Sequence, residues 1–524
     1  MPKLDLSNFP DNRRGLTIVG LLKFQLVKLS LTIQDKHIDM ELLFLWLLLL
    51  ILTPFLSIAF GLILSHRKLD ARHRKNLPPG TMGWPIVGET IEFGSTLRKG
   101  IPEKFVADRM AKYSPDVFKT SLKGEPVAVL CGSAGHKFLS SNENKLVTIW
   151  FPPAVAKVFP SARRAPSSPV EYPMTRKLAT GFLKPDALQN YVKVMDSIAK
   201  RHFKTKWDSK EGVTVAPLAK DYTFEVACGV FLSIEDPERV ASFSEPFYCL
   251  LPAILSSPIA ISFPGTPLSR GIKVANKIRK TILEIIRQRK TDLTEKKSAA
   301  SAKYDVLSHM LVTTNEEGNF MNEMEITERL MVLLVGGFHT TSTVITCILK
   351  YLADLPHIYD QVLKEQRWVS AAKRDGEPLN WEDIQKMKYS WNVASEVLRL
   401  TPPSQGMFRQ ALTDFTYAGF SIPKGWKIYC STSSTNKNPD YFPEPEKFDP
   451  SRFEGDGPSP YTYIPFGAGP RMCPGKEYAR FAILVFMYNV VGRFKWETVH
   501  PNEKILFTPF PLPEKGLPIR LLPH

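Results

Sequence analysis

Phe466-Gly467-Ala468-Gly469-Pro470-Arg471-Met472-Cys473-Pro474-Gly475 is the stretch on which the reading of this chain turns. Its glycines permit backbone conformations and close approaches that a Cβ would block. Arg471 places a permanent cation two residues before a sulfur, and a guanidinium suits a planar carboxylate partner. A cysteine held this way can ligate haem iron as a thiolate, a ligand that pushes electron density toward the metal and favours O–O cleavage. The competing reading is a Gly/Pro-rich surface loop that carries a cysteine by chance.

The run resembles, at every fixed position, the F-x-x-G-x-R-x-C-x-G signature of cytochrome P-450 haem-thiolate monooxygenases. That resemblance implies a mainly α fold with a smaller β region. It implies heme b (iron protoporphyrin IX) on Cys473, a loop shaped by Phe466 and Gly469, and Arg471 on a haem propionate. Upstream, Glu396-Val397-Leu398-Arg399 places an acid and a base three apart, on one helix face. Such spacing is weak evidence alone, since Glu284-Ile285-Ile286-Arg287 repeats it as a solvated pair. The Thr401-Pro402-Pro403 that follows and the order relative to Cys473 make the first copy similar to the family's ExxR helix, with Arg452 as the third member of a structural network. Arg409 resembles a second propionate arginine. Arg176, in Tyr172-Pro173-Met174-Thr175-Arg176, resembles a third, with Tyr172 where the family carries Trp.

Met331-Val332-Leu333-Leu334-Val335-Gly336-Gly337-Phe338-His339-Thr340-Thr341 lies in a long apolar run expected to be helical from about 323 to 355. Two glycines inside a helix cost roughly 1 kcal/mol each relative to alanine. They predict a local kink where a ligand approaches the backbone. The run is similar to the family's oxygen-activation motif, with Thr340 as the hydroxyl beside bound oxygen. His339 stands where the family has Asp or Glu, and an imidazole with a pKa near ~6.5 can relay protons. A second departure is Asn436, where related chains have His; only a structural effect is expected of it.

The chain has 524 residues, 44% of them hydrophobic, and a formal charge of +16. The six cysteines form neither a C-x-x-C pair nor an even framework, which argues against a disulfide scaffold or a zinc site. The basic balance is compatible with anionic lipid or an acidic protein partner. No zinc-finger spacing or basic run interleaved with aromatics points to nucleic acid.

Residues 42–64 contain no charge, long enough for a helix to cross a ~30 Å hydrocarbon layer. Glu41 precedes this segment and Arg67, Lys68, Arg72, Arg74 and Lys75 follow, so the positive-inside rule places the bulk of the chain in the cytoplasm. Residues 1–39 lack a strong periodic element, and Met40 stands where an anchored chain could begin. The expected organisation is therefore an N-terminal extension (1–39) that is not native, and a transmembrane signal anchor (40–64) in the endoplasmic reticulum membrane. A basic, Pro-rich linker (65–85) and a haem-thiolate catalytic domain (86–524), monomeric, follow. From about 100 to 400 helices should dominate, with a solvent loop at 291–302. Beyond 400, dense Pro and Gly predict strands and irregular loops.

From Leu77 to His524 the chain resembles the plant branch that oxidises pentacyclic triterpenes, including amyrin C-28 oxidases. Asn142-Glu143-Asn144-Lys145-Leu146, Phe263-Pro264-Gly265-Thr266, Pro423-Lys424-Gly425-Trp426-Lys427 and Thr508-Pro509-Phe510-Pro511 are among the stretches that carry this kinship. The resemblance implies electrons from NADPH through a flavin reductase with an acidic docking face. A pocket for such a skeleton is large and apolar, and Trp150, Phe151, Phe338, Ser404 and Met407 are candidate lining by analogy. Alternative readings are oxidation of another terpenoid or sterol, a haem-thiolate isomerase or dehydratase acting without oxygen, and a non-enzymatic haem- or sterol-binding membrane protein.

Overall fold

The computed structural model describes residues 76–160, 188–255, 262–295, 305–314, 318–374 and 376–523, together with Leu183 and a few positions between 48 and 57. Of the expected anchor, Leu48–Leu50, Leu52, Thr53 and Ser57 are described and are helical. The rest of it, the extension 1–39, most of the linker and Arg176 lie outside the described residues.

The largest of the four described sheets has five strands. In chain order its members are β1 (Val117–Leu122), β2 (Glu125–Leu130), β3 (Val147–Ile149), β4 (Gly406–Ala411) and β5 (Lys427–Ser431). Their spatial order is β1-β2-β5-β4-β3, with β2 and β5 parallel and the other neighbours antiparallel. β4 lies inside the sheet, and its register sets Arg409 opposite Ile149 on β3 and Ile428 on β5. Pro79 and Gly80, expected in the linker, belong to this body: Gly80 bridges to Lys119, whose amide donates to Pro79 O at 2.8 Å. Only glycine fits there, because a Cβ would sit 2.2 Å from Lys119 O at a φ of +134°.

The helices that position the site are α1 (Gly132–Ser141), α2 (Val192–Lys206), α3 (Val215–Leu232), α4 (Pro237–Leu255), α5 (Pro267–Glu295), α6 (Glu323–Asp354), α7 (Lys388–Leu400) and α8 (Lys476–Val491). α6 begins at Asn322, whose side chain caps the Glu325 amide at 2.9 Å, with Glu323 and Glu325 favourably placed in the first turn. It then runs unbroken past Gly336 and Gly337. Its length and hydropathy would suit a membrane span, but 67% of its most apolar window is buried. It is a core helix, flanked by α3 and α8 in the largest apolar cluster. Specific bonds cross this core: Tyr222 OH donates to Ala482 O at 3.0 Å, and Trp496 Nε1 donates to Leu349 O at 2.9 Å.

Two expectations need adjustment. α5 continues to Glu295, into the stretch read as a solvent loop: residues 291–294 are exposed or half-buried, and each prolongs an existing helix, which costs no new nucleation. α8 is a 16-residue helix in a region expected to be strand and loop. Pro474 and Gly475 stop just before its start, and the Gly475 residue that looked like a breaker is its N-cap.

Candidate active site

The cysteine loop is a closed turn. The Cys473 amide donates to Phe466 O at 2.7 Å and the Met472 amide to Gly469 O at 3.1 Å. Gly467 and Gly469 take φ of +73° and +68°. At Gly469 a Cβ would come 2.7 Å from Ser140 O, the last turn of α1, so the glycine is what lets the loop lie against that helix. Cys473 is exposed and sits just before the N-terminus of α8. There the helix dipole favours a negative charge, as a thiolate ligand requires.

α6 packs against α8 and α3. Gly337 is a contact glycine: a Cβ would stand 3.3 Å from the Tyr478 ring on α8 and 3.4 Å from Phe231 on α3. Gly336 faces open space, with no atom of the described residues within 4 Å of an added Cβ. Thr340, one turn on, donates its hydroxyl back to Gly336 O at 2.7 Å. Val332, one turn before, is 47% exposed. Positions 332, 336 and 340 share a face, so an otherwise buried helix carries one open stripe. The expected kink is not required; the unbroken helix leaves the room through a missing side chain.

Phe338 and His339 point elsewhere. Phe338 is fully buried among Phe224, Phe247 and Tyr248, and Thr223 on α3 donates to its carbonyl at 3.0 Å. His339 is buried against the Phe338 ring and stacked near Phe510. Its Nε2 has no partner among the described residues. Burial pushes this imidazole down to about 3, the Lys220 cation pushes the same way, and the Phe247 carbonyl works weakly against them. The sequence expectation of a value near 6.5 therefore fails for a physical reason: the ring sits in apolar surroundings beside a like charge.

Arg409 and Arg471 converge on one residue that the sequence reading had credited only with kinship. Glu143, in the turn between α1 and β3, accepts from Arg409 Nε at 2.6 Å and from Arg471 Nε at 3.2 Å. Arg471 also donates to Asn144 Oδ1 at 3.3 Å, and Arg409 to Phe408 O at 2.9 Å. All three charged side chains are 10% exposed or less. An acid inside a recognisable stretch was the available signal, but one chain does not reveal partners 266 and 328 residues away.

Glu396, Arg399 and Arg452 lie together in the structure. Glu396 and Arg399, both fully buried, make two parallel bonds of 2.7 Å. Arg399 also donates to Asn436 O, Pro445 O and Lys447 O, and Arg452 lies 3.5 Å from Glu396. Asn436 donates to Arg399 O at 2.9 Å, a structural contact. The look-alike Arg287 instead pairs on the surface with Glu323 of α6. Among the suggested pocket residues, Met407 lies against the cysteine loop, its sulfur 3.9 Å from where a Gly467 Cβ would be. Ser404 is exposed and donates to Gly406 O. Trp150 packs on Phe408 and under Lys427, and Phe408 points to the sheet face opposite Met407 and Arg409. Phe151 is 37% exposed.

These residues fit a haem. An exposed thiol at a helix N-terminus can ligate iron, the open stripe of α6 leaves space for a flat apolar ring and a small ligand, and two arginines against one carboxylate leave a positive charge for an anionic edge.

Comparison with known proteins agrees. The family model described as Cytochrome P450 matches residues 78–520. Beta-amyrin 28-monooxygenase of Vitis vinifera is 56% identical over 485 residues, 93% of this chain and 100% of the relative. The protein of the same name from Kalopanax septemlobus is 57% identical over 477 residues, 91% of this chain and 98% of the relative. Among solved structures, retinoic acid-bound cyanobacterial CYP120A1 superposes with a TM-score of 0.76 at 28% identity, covering 86% of this chain and 99% of its own. Fold, cysteine loop and sequence converge: the chain belongs to the cytochrome P450 family and is a haem-dependent monooxygenase.

Proposed function

We propose that this enzyme oxidises an amyrin-type pentacyclic triterpene at C-28, using oxygen and electrons relayed from NADPH by a flavin reductase. The observation that carries this reading is the 56% identity to beta-amyrin 28-monooxygenase along that relative's entire length. When bound, the haem supplies oxygen activation and the oxidising power. The chain's own groups then have separable tasks. Cys473 ligates the iron. Arg409 and Arg471 hold the haem carboxylates, a task Arg176 shares by resemblance. The Thr340 hydroxyl, on the open stripe of α6, would orient water and pass protons to the bound oxygen, while His339, buried and neutral, would not act as the acid. Met407 and the open stripe of α6 border the substrate. Residues 40–64 anchor the protein in the endoplasmic reticulum membrane with the catalytic domain, a monomer, in the cytoplasm. Release of the protein from microsomes by alkaline carbonate would contradict the anchor.

The activity is tested by co-expression with a β-amyrin synthase and an NADPH-dependent reductase under labelled oxygen. The expected product is β-amyrin bearing labelled oxygen at C-28, as alcohol or further oxidised. Unchanged β-amyrin, in cells whose protein binds haem normally, would overturn the substrate assignment.

A further inference from the structure

We infer that Glu143 is a positioning residue for the haem carboxylates, clamping Arg409 and Arg471 into one unit and setting the charge of that edge of the site. The inference rests on the proposed role of the two arginines. Arg409 comes from β4 and Arg471 from the cysteine loop, and each uses its Nε on a separate oxygen of Glu143. A carboxylate that is 1% exposed is costly unless it is fully paired, and here it meets a cation on each oxygen. Bridged in this way, two like charges are brought together that would otherwise repel. Arg409 uses Nε and Nη1 in these bonds, which leaves its Nη2 to face a ligand. One positive charge remains in excess, which is the complement an anionic ligand edge needs. Glu143 is held in turn by local backbone, since its bridge to Val147 ties the turn to β3, and the Asn144 amide donates to Val147 O at 2.7 Å.

Glu143 therefore acts through the arginines, without touching the ligand, and two consequences separate this from simple packing. Glu143→Gln keeps the shape and removes the charge. The arginines then splay, and the purified holoenzyme gives up haem to apomyoglobin roughly tenfold faster, as expected for loss of charge-assisted bonds. The iron reduction potential also moves positive, because a nearby anion is gone. Glu143→Asp keeps the charge but shortens the reach. Its potential stays at the wild-type value while haem transfer is still accelerated, to a smaller degree. Unchanged haem transfer in both variants, or a potential insensitive to the Gln substitution, would overturn the inference. If the Gln variant does not accumulate, wild-type transfer by the Asp variant overturns it alone. A wild-type protein lacking the thiolate-type reduced-CO spectrum would instead sink the reading on which the inference rests.

Discussion

His339 stands where the family resemblance implies a carboxylic acid, and its surroundings decide what it can do there. An imidazole with a pKa near 3 is neutral at pH 7 and cannot serve there as an imidazolium acid. The unfolded chain, with an ordinary value of ~6.5, binds a proton between about pH 3 and 6.5 that the folded chain refuses. Stability linked to this group thus rises with pH through that window and is lost as pH falls. Replacing His339 by Gln should flatten the pH dependence of the thermal midpoint between pH 4 and 6.5, measured by calorimetry. An undiminished slope would mean other buried histidines, His136 and His202, account for it. The nearby Lys220 cation could stabilise an acid at this position, so His339→Asp should keep or improve coupling of oxygen consumption to product. Excess peroxide release in that variant would count against the position being interchangeable with the family's acid.

At the scale of elements, the cysteine loop, α6 and α7 show what a single sequence can and cannot disclose. The loop was readable because its chemistry is local: glycines, arginine and cysteine at fixed spacing must lie together. The Glu396–Arg399 pair was readable for the same reason, being one helical turn. α8 was not, since Pro474 and Gly475 signal an end and the helix they introduce is apolar on nearly all sides. Glu143 escaped because its partners arrive from β4 and from the loop, and only the sheet register brings them together. The open stripe on α6 likewise depends on which glycine faces α8 and which faces space, a choice that composition does not encode. Gly469 tests the loop as an element. Alanine there would meet Ser140 O at 2.7 Å in a left-handed backbone conformation, so the loop must shift away from α1. Gly469→Ala should lower haem content per chain severalfold, scored by pyridine haemochrome, with an unchanged far-ultraviolet circular dichroism spectrum. Full haem content would show that the loop does not need this contact.

For the whole molecule, the basic balance of +16 and the apolar segment 42–64 are properties of the complete sequence, whereas the site depends on a body folded around α6. The mainly helical architecture with one principal sheet was legible from periodicity and from the family resemblance. Its boundary was less so: Pro79 and Gly80 read as linker, yet pair with β1. This body holds one exposed sulfur, Cys473, at the foot of α8, a helix that packs against α6 through Tyr478 and Gly337. The measurement that bears most directly on that claim is the reduced-CO difference spectrum of the purified full-length protein and of its Cys473→His variant. The wild type should show the red-shifted band diagnostic of a thiolate ligand, and the variant should lose that band while any haem it retains absorbs like a histidine-ligated protein. A Cys473→His protein that keeps the thiolate-type band would contradict the assignment.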